Sequence, residues 1–67
     1  MDFRKILRNL RQEKGMTQKQ LADMLNVHHS TVKDWEVRGC EPNYKTLISL
    51  AKIFEVTVGQ LLGEEEY

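Results

Sequence analysis

The residues with the most chemistry to offer gather in one stretch. His28, His29 and Ser30 stand in a row, Lys33 and Asp34 follow, and Gln18 and Lys19 lie a little upstream. Catalysis would need a nucleophile paired with a base, a phosphate-cradling glycine loop or two spaced carboxylates, and none of these patterns is present. A zinc centre usually needs four ligands at recognisable spacing. Two adjacent histidines and the single distant Cys40 do not supply that, so no metal and no cofactor is expected. What remains is a set of short or flexible hydrogen-bonding side chains, of the kind that can meet the edges of nucleic-acid bases.

These residues must be positioned by a small body. The chain has 67 residues, enough for one domain. A domain of this size buries only about 60% of its unfolded surface, so an enzyme with its own substrate cavity is not expected. Hydrophobic residues make up 40% and charged residues 30%, the balance of a globular domain and not of a disordered segment. No apolar run approaches the roughly 18 residues of a membrane span. No signal peptide is visible, so a cytoplasmic location is expected. With one cysteine there is no internal disulfide, and stability must come from helix packing, oligomerisation or both.

The net charge is zero. Its distribution is uneven: residues 1–38 carry eight bases against five acids, whereas residues 39–67 carry two against five. Such asymmetry hints at a nucleic-acid partner for the basic half, but on charge alone a set of solvated helix faces is the favoured reading.

The hydrophobic pattern predicts an all-α domain of five helices over residues 1–63, followed by an acidic tail over 64–67. Phe3, Ile6, Leu7 and Leu10 mark one face of a first helix, with Asp2 as its cap and Gly15 as its stop. Thr17 and Gln20 fit a capping box for a second, with Leu21, Ala22 and Leu25 inward and Asn26 at its end. A third runs from about His28 to Val37, with Val32 and Trp35 inward. Gly39 and Pro42 bracket the next loop. Asn43 caps a fourth, whose inward residues are Leu47, Leu50, Ala51 and Phe54. Thr57 and Gln60 open a short fifth that contains Leu61 and Leu62 and ends at Gly63. Glu64, Glu65, Glu66 and Tyr67 read as a frayed tail.

The link between the second and third helices is little more than Asn26-Val27. Two amphipathic helices joined so closely form a tight corner. Such a corner is either an ordinary bend in a helical bundle or a helix-turn-helix, whose second helix enters the DNA major groove. In the second case His29, Ser30, Lys33 and Asp34 occupy the polar face that would meet bases.

The letters add to the spacing. Thr17-Gln18, Leu21-Ala22, Leu25, Val27, Ser30-Thr31-Val32 and Trp35-Glu36 together resemble the helix-turn-helix of the lambda-repressor-like, or XRE-type, family of phage repressors, Cro proteins and bacterial regulators. Leu10-Arg11 with Lys14-Gly15-Met16 resembles the end of its first helix. Glu41-Pro42-Asn43, Thr46-Leu47 and Leu50-Ala51 resemble its fourth, and Phe54, Val56-Thr57-Val58 and Leu61-Leu62 its fifth. The resemblance covers residues 3–63.

It implies roles residue by residue. Gln18 would hold a phosphate at the start of the second helix, with Thr17 and Lys19 beside it. His29 and Ser30 would be the first base readers, joined by Lys33, Asp34 and His28. His28 stands where relatives carry a Ser or Thr cap; histidine is a poor cap, so either the helix starts differently or a cap has been exchanged for a DNA contact. Arg11 and Glu36 would form a structural salt bridge. Arg38, Asn43, Tyr44 and Lys45 would grip the phosphate backbone, but the family's glycine is displaced by one in Glu36-Val37-Arg38-Gly39, and Cys40-Glu41 replaces basic residues. Val58, Leu61 and Leu62 lie near the surface that relatives use for dimer contacts, with simple packing on the first helix as the alternative, and both can hold for different residues. A homodimer would set two reading helices about 34 Å apart on a palindromic operator. The implied function is sequence-specific double-stranded DNA binding by a bacterial or phage transcriptional regulator, a repressor acting by operator occupancy. A protein-interaction module with a protein as main partner is the alternative that the neutral net charge and acidic tail keep open.

Overall fold

The computed structural model describes residues 2–65, which form five helices and no strand. Helix α1 spans Phe3–Glu13, α2 Gln18–Leu25, α3 His29–Val37, α4 Tyr44–Phe54 and α5 Val58–Leu62. This is the five-helix, all-α arrangement that the hydrophobic spacing predicts.

Each start is fixed by a side chain that satisfies an orphan backbone N–H. Asp2 accepts from the Arg4 N–H at 2.9 Å and Asn43 from that of Thr46 at 2.9 Å. Thr17 and Gln20 form a reciprocal capping box, in which the Gln20 N–H donates to Thr17 Oγ1 at 3.0 Å and the Thr17 N–H to Gln20 Oε1 at 2.8 Å. Thr57 and Gln60 repeat the device at α5. The end of α2 is set by Asn26 at φ +57°, in the left-handed region that asparagine tolerates, and the Val27 N–H then reaches back to the Ala22 carbonyl at 3.0 Å. These two residues turn the chain sharply into α3.

The core takes the apolar stripe of every helix: Phe3, Ile6, Leu7 and Leu10 from α1; Leu21 and Ala22 from α2; Val32 and Trp35 from α3; Leu47, Leu50, Ala51 and Phe54 from α4; and Leu61 from α5. Helix α1 lies against both α3 and α5, and α2 lies against α3 and α4. The corner of α2 and α3 therefore rests on a base built by the other three helices.

The C-terminal end differs from expectation. Glu64 and Glu65 are not frayed: both N–H groups donate to the Gly59 carbonyl, at 2.8 and 3.2 Å, and the Thr57 hydroxyl donates to Glu65 Oε1 at 2.9 Å. The carboxylate of Glu65 occupies the space beside Gly59 that a Cβ would need. Glu66 and Tyr67, the remainder of the expected tail, lie outside the described residues. No helix among the described residues is long and apolar enough to cross a membrane.

Candidate nucleic-acid interface

Helix α3 has two contrasting sides. Val32, Trp35 and Glu36 are buried. His29, Ser30, Lys33 and Val37 are exposed, and Asp34 is half-buried beside them. At 100° per residue these five span an arc of about 140° on the side away from the core. The sequence-predicted readers His29, Ser30, Lys33 and Asp34 thus share one face. Val37 shares this face although its side chain is apolar. The helical period places it four residues after Lys33 and seven after Ser30, in the middle of the outer arc.

The N-terminus of α3 is organised by the two histidines. His28 lies just outside the helix, at φ −72° and ψ 146°, and acts as its cap. Its Nδ1 accepts from the Ser30 N–H at 3.2 Å and is 2.8 Å from Ser30 Oγ. The position has therefore not given up the cap; an imidazole nitrogen replaces the usual hydroxyl. The His28 and His29 rings stack with centroids 4.4 Å apart and planes 30° from parallel. A base contact from His28 would fall to its other nitrogen, since Nδ1 already serves the helix.

The inner side of α3 is held by Glu36, whose side chain is 1% exposed. Arg11 from α1 grips it with two bonds, Nε to Oε2 at 2.7 Å and Nη2 to Oε1 at 3.0 Å. This paired fork is the strong form of a carboxylate–guanidinium contact. The bond to Glu36 raises the Arg11 pKa above that of an ordinary arginine. Arg11 also donates from Nη1 to the Met16 carbonyl at 2.7 Å, which fastens the turn between α1 and α2. The salt bridge implied by the family resemblance is thus present in the fold. Two further partners were not legible in the sequence. Arg8 donates from Nη2 to the Glu36 carbonyl at 3.2 Å, where a cation complements the C-terminal end of α3. Gln18 donates from Nε2 to Glu36 Oε1 at 3.2 Å. The spacing of Arg8 and Arg11 along α1 would put both on one side of it, but nothing in the sequence says that this side meets Glu36.

The Gln18 bond changes the picture of that residue. Its half-buried amide turns inward to Glu36 and links α2 to α3. Any phosphate contact there falls to the second amide hydrogen, or to the first-turn N–H groups, which have no carbonyl partner within a helix. Thr17 spends its hydroxyl on the capping box, and Lys19 lies 3.6 Å from Asp23 in an exposed pair.

The other expected phosphate contacts cluster around the loop between α3 and α4. Arg38, Asn43, Tyr44 and Lys45 are all exposed. Asn43 Oδ1 is engaged in capping α4, which leaves its amide hydrogens outward. Arg38 Nη1 lies 3.9 Å from Asp34 Oδ1, so the expected base reader Asp34 faces a cation of its own chain. Cys40 is a free, exposed cysteine in the same loop. No group of three or more His, Cys, Asp or Glu side chains among the described residues is placed to hold a metal.

One expected dimer contact is corrected. Leu61 is 0% exposed and belongs to the core, out of reach of any second molecule. Its inward face follows from the short α5, which has only one turn with which to anchor itself. Val58 and Leu62 are half-buried against the same core.

Comparison with known proteins agrees with this architecture. A family model described as helix-turn-helix matches residues 7–61. The chain is 39% identical over 66 residues to the HTH-type transcriptional activator BcrR of Enterococcus faecalis, covering 98% of this chain and 32% of that protein. It is 33% identical over 66 residues to the HTH-type transcriptional regulator ImmR of Bacillus subtilis, covering 98% of this chain and 52% of that protein. The chain thus spans about a third to a half of the length of these curated relatives. Among solved structures, a transcriptional regulator from Listeria innocua superposes with a TM-score of 0.89 at 30% identity, over 98% of this chain and 62% of that one. With its corner at Asn26-Val27 and its five capped helices, the chain belongs to the helix-turn-helix family of XRE, or lambda-repressor-like, type.

Proposed function

We propose that this chain binds double-stranded DNA in a sequence-specific manner, with α3 in the major groove, as the DNA-reading part of a transcriptional regulator. One observation carries the reading above all: α3 is locked on its inner side by Val32, Trp35 and the buried Glu36, while its outer side offers His29, Ser30 and Lys33 to solvent. A rigid helix with an exposed hydrogen-bonding face suits base recognition. The N-terminus of α2 and the exposed Arg38, Asn43, Tyr44 and Lys45 flank that face and serve as phosphate contacts that set its register. Asp34 is the weakest reader of the set, because Arg38 competes for it.

The action is operator occupancy, which requires no chemistry from the protein. Occupancy that overlaps a promoter represses; the Enterococcus relative is a transcriptional activator, and the sign for this chain depends on where its operator lies. Pairing of two copies through the half-buried Val58 and Leu62 would place two reading helices about 34 Å apart and call for a palindromic site.

Selection from random duplex DNA tests the reading. The unmutated chain should enrich a defined site, and His29→Ala and Ser30→Ala should each relax it at one position, at a cost of about 1–3 kcal/mol for a well-formed base contact. Affinity should also fall steeply with salt, with a log–log slope near −0.9 per phosphate engaged. A site indifferent to both substitutions would overturn the assignment of α3.

A further inference from the structure

We infer that Val37 is a specificity-determining residue that reads a C5-methyl group on a pyrimidine in the major groove. This rests on the DNA-binding reading above and extends it to a residue outside the usual hydrogen-bonding set. Val37 is 54% exposed although it is a large apolar residue, one of three such among the described residues. The other two, Met24 and Tyr44, lie off the outer side of α3, on α2 and at the start of α4. Val37 alone stands on the face shared by His29, Ser30 and Lys33.

Nothing in the fold calls for valine there. The core is closed without it, and a β-branched residue forms helix less readily than the charged residues that usually fill an exposed position. Branching does supply one thing: in a helix, valine is held in a single strongly preferred rotamer, so its methyls point in a fixed direction. Its position, two turns beyond Ser30 and about 10 Å further along the axis, brings it to a different base pair from the one Ser30 meets. Valine can neither donate nor accept a hydrogen bond. The apolar feature of the major-groove base edges is the C5-methyl of thymine, with cytosine presenting its amino group instead. Apolar contact at Val37 therefore favours thymine over cytosine at one position, and 5-methylcytosine presents the same group.

The test uses the site enriched by the unmutated chain and a parallel selection with Val37→Ala. The variant should select the same site except at one position, where thymine preference is lost, and its melting temperature should be equal to that of the parent or slightly higher, because the side chain is exposed and alanine forms helix more readily than valine. At that position, replacing thymine by deoxyuridine removes the methyl and leaves base pairing intact. This change should weaken the parent chain about fourfold, the worth of one buried methyl, and leave Val37→Ala unchanged. Cytosine and 5-methylcytosine placed there separate the two sources: recovery of affinity on methylation shows that the methyl itself is read. Equal loss for both proteins on deoxyuridine, or identical sites selected by both, overturns the inference while leaving the DNA-binding reading intact. Absence of any enriched site for the parent overturns both.

Discussion

Truncating Arg11 to alanine should remove a large part of the stability of this domain, and the structure sets the size of the loss. Glu36 is 1% exposed and Arg11 12% exposed, so the pair is shielded from water and from salt. Breaking such a pair from one side costs about 3–5 kcal/mol, because an unpartnered charge stays buried. Arg11 also releases the Met16 carbonyl, a loss of about 1 kcal/mol for a typical hydrogen bond. Arg8 works in the opposite direction. Its Nε lies 3.9 Å from Glu36 Oε1 on a side chain 46% exposed, so it has room to swing inward and take over part of the charge. Gln18 already donates to the same oxygen. The expected net loss is about 3–4 kcal/mol, the low end of the range with the carbonyl bond included. A 67-residue domain has a total stability of only about 3–10 kcal/mol.

Urea unfolding reads this directly. Trp35 is the chain's single tryptophan and 5% exposed, so its fluorescence reports on the same helix that Glu36 anchors. The midpoint for Arg11→Ala should fall by at least about a third with an unchanged slope. Arg11→Met combined with Glu36→Leu removes both charges together. That double variant should recover at least about 2 kcal/mol over Arg11→Ala, since a buried ion pair is often no more stabilising than apolar residues of similar size. A single variant within about 1 kcal/mol of the parent would refute the view that Glu36 is a buried, paired charge. A double variant no better than the single one would place the loss in the Met16 turn instead.

Two further outcomes follow from the helix caps. The side-chain bond from Arg4, with the Arg4 N–H second, holds the Asp2 carboxyl at about 2, down from 3.8. A depressed carboxyl contributes stability above its unfolded value and loses it as pH falls through the folded one, so the α1 cap should weaken between about pH 4 and pH 2; a carboxyl NMR titration near the ordinary value for Asp2 would contradict this. His28→Ser restores a strong capping residue to α3 and should raise stability by about 0.5 kcal/mol, or a few degrees in melting temperature. A lower melting temperature would mean that the stacking of His28 on His29 outweighs the poorer cap.

What was legible in the sequence depended on how local the cause was. All five helices and four of their caps, Asp2, Thr17, Asn43 and Thr57, follow from short patterns whose physics acts within a turn. The face of α3 was legible for the same reason, since one period settles which of His29, Ser30 and Lys33 share a side. Less legible were residues with two plausible partners. Gln18 begins a helix, which suggests a phosphate, yet its amide also meets a glutamate from α3 that is eighteen positions away. Leu61 and Leu62 are chemically identical neighbours, and only the packing of α5 makes the first core and the second half-buried. Glu65 reads as part of a frayed terminal tail because chain ends are seldom tied down; the Thr57 hydroxyl and the Gly59 carbonyl, both at the start of α5, hold it in place.

The placement of Glu36 also explains how one helix can serve both fold and recognition. Hydrophobic contacts from Val32 and Trp35 hold α3 against the core but allow it to slide or roll, because apolar packing is not directional. Charge-assisted bonds are directional, and Glu36 receives them from α1 and α2 at once. The Arg8 bond to its main-chain carbonyl adds a third constraint at the end of the helix. With the inner side fixed in rotation, the outer arc presents His29, Ser30, Lys33 and Val37 in one orientation. Substitutions on the outer arc touch few other side chains, whereas those on the inner side disturb three helices. The exposed positions proposed for recognition can therefore change with little effect on stability, generally within about 0.5 kcal/mol for surface substitutions away from special features. Ser30 and His29 are the exceptions among the four. The Ser30 N–H and hydroxyl both meet His28 Nδ1, and the His29 ring stacks on that of His28, so altering either proposed reader also disturbs the cap.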